Sequence, residues 1–123
     1  MKTLKHIVLA ALTLAAANAV SAQRELTLGL VAKSQSNPVF QAARVGAEDA
    51  AKELGRELGI KIKIDWRTPN EEDAQKQVEA IEQLVLAGAE GIAVSCTDAN
   101  KLTDAINRAV DNGVPVATFD SDA

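Results

Sequence analysis

From Leu26 onward the apolar positions switch back and forth between two spacings. Leu26 to Ala32 (LTLGLVA) is a short, mostly apolar run, which predicts a buried strand. After Val39, the residues Phe40, Ala43, Ala47, Ala50, Leu54 and Leu58 recur three and four apart, the spacing of one helix face. Gly59 then stands where a left-handed C′ residue would close that helix. Ile60 to Trp66 (IKIKIDW) alternates strictly, with Ile60, Ile62, Ile64 and Trp66 on one side and Lys61, Lys63 and Asp65 on the other. Asn70 is the expected N-cap of a second helix, with Glu71, Glu72 and Asp73 in its first turn, where carboxylates complement the positive end of the helix dipole. Its apolar stripe is Ala74, Val78, Ile81 and Val85, and Gly88 ends it. Gly91 to Cys96 (GIAVSC) predicts a third strand, and Thr97 or Asp98 caps a third helix whose Leu102, Ala105, Ile106, Ala109 and Val110 should face inward. Gly113 closes that helix, and Val114 to Phe119 predicts a fourth strand, with Pro115 tolerated because it lies at the start.

Strand and helix alternate at roughly 30 residues per unit, as right-handed crossovers require. This order implies an α/β fold with a parallel sheet and helices on both faces. The alternating second strand has one polar side and belongs at an edge, whereas the others are nearer to continuously apolar. The expected strand order is 2-1-3-4. In such an open sheet, ligands bind beyond the carboxyl ends of the strands, where the order reverses, here between strands one and three. The loops on that edge are Lys33–Pro38 (KSQSNP), Arg67–Asn70 (RTPN), Thr97–Ala99 and Asp120–Ala123.

Composition narrows what this edge can do. Residues 1–22 read as a secretory signal peptide: Lys2 and Lys5 form a basic start, Ile7 to Ala17 an apolar run, and Ala-Val-Ser-Ala a small-x-small cleavage pattern. The run is too short to span a bilayer, which needs about 20 apolar residues, so stable membrane insertion is not expected and the destination is the periplasm. The remainder, residues 23–123, is one domain of 101 residues with 11 basic and 17 acidic side chains, a net charge of −6. That acidity disfavours nucleic acid as a partner. The only His lies in the leader and Cys96 is the only Cys. Ser-His-Asp and Cys-His pairs are thereby excluded, as are zinc sites built on His or several Cys. Walker and GxGxxG loops are also missing. The chain is expected to be no enzyme and to need neither cofactor nor metal.

The three aromatic residues, Phe40, Trp66 and Phe119, all fall at or just beyond the carboxyl end of a predicted strand. A sugar cleft uses aromatic faces with a few fixed polar groups, although large residues at these points also seal a core. Strand parity turns Trp66 and Phe119 inward. Asn37, before Pro38, is suited to capping the first helix, and its amide remains available to a ligand. Asp120, beside Phe119, is well placed to accept hydrogens from two sugar hydroxyls. Ser121 and Asp122 carry weaker signals. Ser95, Cys96 and Asp98 read as strand-end and capping residues, with Cys96 a small buried apolar group.

With these residues placed, SQSNPVFQAARVGAEDAAKELG (34–55), QVEAIEQLVLAGAEGIAVSCTDANKL (77–102) and AINRAVDNGVPVATFDSD (105–122), together with the leader, resemble the front of a periplasmic sugar-binding protein of the ribose-binding type. The same domain serves as the ligand domain of lac-repressor-like regulators, but here a leader stands in place of a DNA-binding headpiece. The resemblance implies the Rossmann-like first lobe of a type I periplasmic binding protein, incomplete, whose loaded form docks on an ABC-type permease. It assigns sugar contact to Asn37, Phe40 and Asp120, with Ser121 beside them. Two positions depart from the ribose-binding pattern: Val39 stands where an aromatic is usual, and Ser121 where Arg is usual. The sugar therefore stays open. A second lobe would supply the other cleft wall, so the chain alone is expected to bind sugar weakly or not at all. A sensing domain for a chemoreceptor or histidine kinase is the alternative, and a carboxylate-only secreted enzyme a distant third.

Overall fold

The computed structural model describes residues 23–123; the expected signal peptide lies outside the described residues. Strands β1 (Glu25–Val31), β2 (Lys61–Trp66), β3 (Gly91–Val94) and β4 (Val116–Thr118) alternate with helices α1 (Pro38–Leu58), α2 (Ala74–Leu86) and α3 (Ala99–Asp111). All pairings are parallel and the strand order is 2-1-3-4, as the alternation of β2 implied. β1 pairs with β2 through Leu28 opposite Ile64, and with β3 through Val31 opposite Val94.

The register divides the side chains between two faces. On one face Val31, Ile92 and Val94 meet α2 and α3 in a core with Ile81, Leu84, Leu102, Ala105 and Ala109. On the other, α1 lies against β2 and buries Phe40 and Ala51. α1 packs over the β2 side of the sheet. An apolar groove of about 450 Å³ therefore runs beside it, lined by Leu28, Ala50, Leu54, Ile64, Ala93 and Ala117 among others. Leu54 and Leu58 are largely exposed, so half of the stripe that α1 presents has nothing packed on it. Val110, expected to face inward, is also exposed; it lies at the rim of the α3 stripe, past the reach of α2.

Local signals set the helix ends. Gly59, Gly88 and Gly113 take the positive φ expected of helix-closing residues, and Asn37 and Asp98 cap α1 and α3. The start of α2 differs from expectation. Asp73, not Asn70, is the N-cap, and Glu71 and Glu72 precede the helix rather than filling its first turn. Either residue type caps well. The choice is made by neighbouring chain, because the Asn70 carbonyl accepts the Ser36 N–H (3.3 Å) and the Pro69 carbonyl the Gln35 N–H (2.8 Å), holding 69–70 against the β1–α1 loop.

Two glycines in α1 should respond oppositely to alanine. A Cβ at Gly46 meets nothing within 4 Å, whereas one at Gly55 would come 2.8 Å from the Ile60 carbonyl oxygen. Gly46→Ala is expected to stabilise by about 0.5–1 kcal/mol through helix propensity. Gly55→Ala is expected to destabilise by about 1–3 kcal/mol through overpacking against backbone. Urea midpoints that moved in the same direction for both would contradict this packing.

Candidate functional site

The carboxyl ends of β1, β3 and β4 meet at one edge, and hydrogen bonds tie their loops together. Beyond Val94 the backbone of β3 continues as Ser95, whose N–H donates to the Val31 carbonyl (2.9 Å). The chain after β4 turns sharply. Asp120 has φ 62°, the only positive φ at a non-glycine among the described residues. Asp tolerates this left-handed region better than most side chains, and such backbone is often found at ligand sites. The turn is fastened on both sides: the Cys96 N–H donates to the Ser121 carbonyl (3.2 Å), and the Ser121 hydroxyl donates to the Cys96 carbonyl (2.7 Å).

Two side chains converge on the Asp120 carboxylate. The Ser95 hydroxyl donates to Oδ2 (2.9 Å) and the Lys33 ammonium lies 3.1 Å from the same oxygen. Together, with the Ser95 bond first and Lys33 second, they hold the Asp120 carboxyl below the usual range. Both contacts fall on Oδ2, which leaves Oδ1 for another donor. Lys33 is three-quarters buried while Asp120 is nearly half exposed. The arrangement is thus an anchored cation beneath an accessible, ionised acceptor.

Asn37 is half-buried, and its Oδ1 accepts the Val39 N–H (2.9 Å) as the cap of α1. That bond fixes the amide orientation and leaves Nδ2 as a donor. Phe40 is only 4% exposed and closes the core beneath this loop, while Val39 beside it is 64% exposed. Ser121 is half-buried and engaged in closing the turn. Trp66 and Phe119 are both half-buried, and the Arg44 guanidinium lies 5.7 Å from the centre of the Trp66 ring, within cation–π range. Cys96 is buried, which pushes its thiol up and leaves it unreactive.

Lys33 and Ser95 were not among the residues expected to bind a ligand. A signal was present for Lys33, a lone cation directly after a buried strand. Ser95 had none, because its role depends on a residue 25 positions away. Among the described residues no group of three or more His, Cys, Asp or Glu is placed to hold a metal ion, and no helix is long and apolar enough to cross a membrane. The large apolar groove lies on the sheet face, away from this edge.

A family model described as a periplasmic binding protein domain matches residues 28–123. The ribose import binding protein RbsB of Bacillus subtilis is 31% identical over 101 residues, covering 82% of this chain and 31% of that protein. The L-arabinose-binding periplasmic protein of Escherichia coli is 39% identical over 99 residues, covering 80% of this chain and 27% of that protein. The structure of LsrB from Clostridium saccharobutylicum in complex with AI-2 superposes with a TM-score of 0.68 at 32% identity, over 80% of this chain and 28% of that one. The chain thus spans about a third of the length of the curated relatives it matches.

Proposed function

Because this chain belongs to the periplasmic binding protein domain family, we propose that it is part of a solute-binding protein that captures a sugar in the periplasm for an ABC-type importer. The family is one of binding proteins rather than enzymes. On this reading residues 1–22 are the signal peptide and residues 23–123 part of the first lobe.

The observation that carries the reading is the convergence of Lys33 and Ser95 on Asp120 at the carboxyl edge. A sugar hydroxyl both donates and accepts. The free Oδ1 of Asp120 would take hydroxyl hydrogens, and the Lys33 ammonium and Asn37 Nδ2 would donate to hydroxyl or ring oxygens. Phe40 and the exposed Val39 would give an apolar floor, and Ser121 would hold the Asp120 turn in place. Ribose and L-arabinose, named for two of the relatives, are pentoses whose hydroxyl pattern such a set would suit. Delivery to a permease is the role that the name of the ribose import binding protein supports.

The test is a titration of the full chain with D-ribose and L-arabinose, followed by amide and side-chain NMR. The expected result is shifts at Lys33, Asn37 and Asp120 with millimolar affinity, because a single lobe covers a sugar on one side only. Pentose-induced shifts that fall elsewhere on the chain and spare these three residues would overturn the reading of this edge.

A further inference from the structure

Gln77 lies in α2 at 0% exposure, the only fully buried side-chain amide among the described residues. It occupies a place in the apolar stripe formed by Ala74, Ile81 and Leu84. A polar group there must be hydrogen-bonded to be tolerated, and this one is. Its Nε2 donates to the Ala32 carbonyl (3.0 Å) and the Ser95 carbonyl (2.8 Å), and its Oε1 accepts the Thr97 N–H (2.9 Å).

The position of these partners matters. The β1–β3 ladder ends at Val31 opposite Val94, and just beyond it the two chains leave the sheet for different loops. Gln77 bridges them one residue later. Ala32 directly precedes Lys33, and Ser95 itself donates to Asp120. The third partner, Thr97, leads into the cap of α3. One amide therefore fixes the backbone beneath both groups that meet at the Asp120 carboxylate.

We propose that Gln77 is a positioning residue of the ligand edge, whose buried amide holds Ala32 and Ser95 so that the Lys33 and Ser95 side chains converge on Asp120. The functional meaning of this rests on the reading of that edge as a sugar site, but the coupling itself does not. A purely structural amide would satisfy the same carbonyls without governing Asp120. The two roles differ in what they do to the Asp120 titration, because the Ser95 bond and the Lys33 ammonium are what draw that carboxyl below its ordinary range.

The experiment is a carboxyl-carbon NMR titration of the full chain, unmutated and as Gln77→Met, with Ser95→Ala as the benchmark and the Glu25 carboxylate, paired with Lys61, as the internal control. In Gln77→Met the Asp120 midpoint is expected to rise toward its Ser95→Ala value, with Glu25 unmoved. A folded Gln77→Met chain with a lowered melting temperature but an unchanged Asp120 midpoint would overturn the proposal. Should that variant not fold, the unmutated chain decides: the Gln77 side-chain amide resonances are expected to shift with the Asp120 titration, and amide resonances indifferent to it would refute the coupling. Neither readout uses a sugar. Failure to bind pentose would thus count against the proposed function and leave this result standing.

Discussion

Leu84→Ala is expected to cost about 3–4 kcal/mol, a large share of the roughly 5–15 kcal/mol that holds a domain of ordinary stability together. Leu84 is fully buried at the centre of the α2–α3 face. It reaches the sheet where Gly29 leaves a gap: a Cβ added to Gly29 would lie 2.5 Å from one Leu84 methyl and 2.9 Å from the other. Gly29→Ala is therefore also expected to destabilise, by about 1–3 kcal/mol, through overpacking. The two losses should not add. With Leu84 truncated, the new methyl at position 29 enters the vacated space, and the double variant should be more stable than the sum of the single costs by about 1 kcal/mol or more. Urea unfolding followed by Trp66 fluorescence measures all three. Additive costs would mean that Gly29 and Leu84 do not share one space.

Asp120→Asn is expected to weaken pentose binding about ten- to a hundredfold, the usual consequence of removing a charged acceptor from a hydrogen bond. Its acid dependence follows from the same contacts. Because Ser95 and Lys33 favour the ionised form, the folded carboxyl titrates below its unfolded value. The folded carboxyl alone governs how affinity depends on pH, and it is protonated only below the ordinary carboxylate range. Affinity should therefore hold level from pH 7 to about pH 4 and fall only below that. Lys33→Met should move the fall upward, toward the ordinary carboxylate range. Shift titrations with D-ribose across this pH interval measure it, and an affinity already declining near pH 6 would exclude Asp120 as the controlling group.

Much of the candidate edge was legible before any coordinates. Asn37 was expected as the cap of α1 and is so. Asp120 was expected just past strand four and lies there, with Ser95 and Lys33 on its Oδ2. Its left-handed backbone had no signal in the residue itself, since Asp is equally common in ordinary turns. Gln77 did leave a trace, a polar residue at a stripe position of an otherwise apolar helix face. Such a trace says that a buried amide needs partners; it does not say that they are the ends of two strands 18 and 45 residues away.

The elements, their parallel arrangement and the 2-1-3-4 order were all legible along the chain. These rest on periodicity, on glycine at helix ends and on the polarity of one strand, all of which act between near neighbours in the chain. Three other features emerged with the packed fold: Asp73 in place of Asn70 as the α2 cap, the exposure of Leu54, Leu58 and Val110, and the meeting of Lys33, Ser95 and Asp120. Each depends on which distant segment lies alongside. A cap is selected by the loop that competes for the backbone. An apolar face is buried only where another element covers it. A carboxyl is drawn below its ordinary range only by groups that the sheet brings to the same edge.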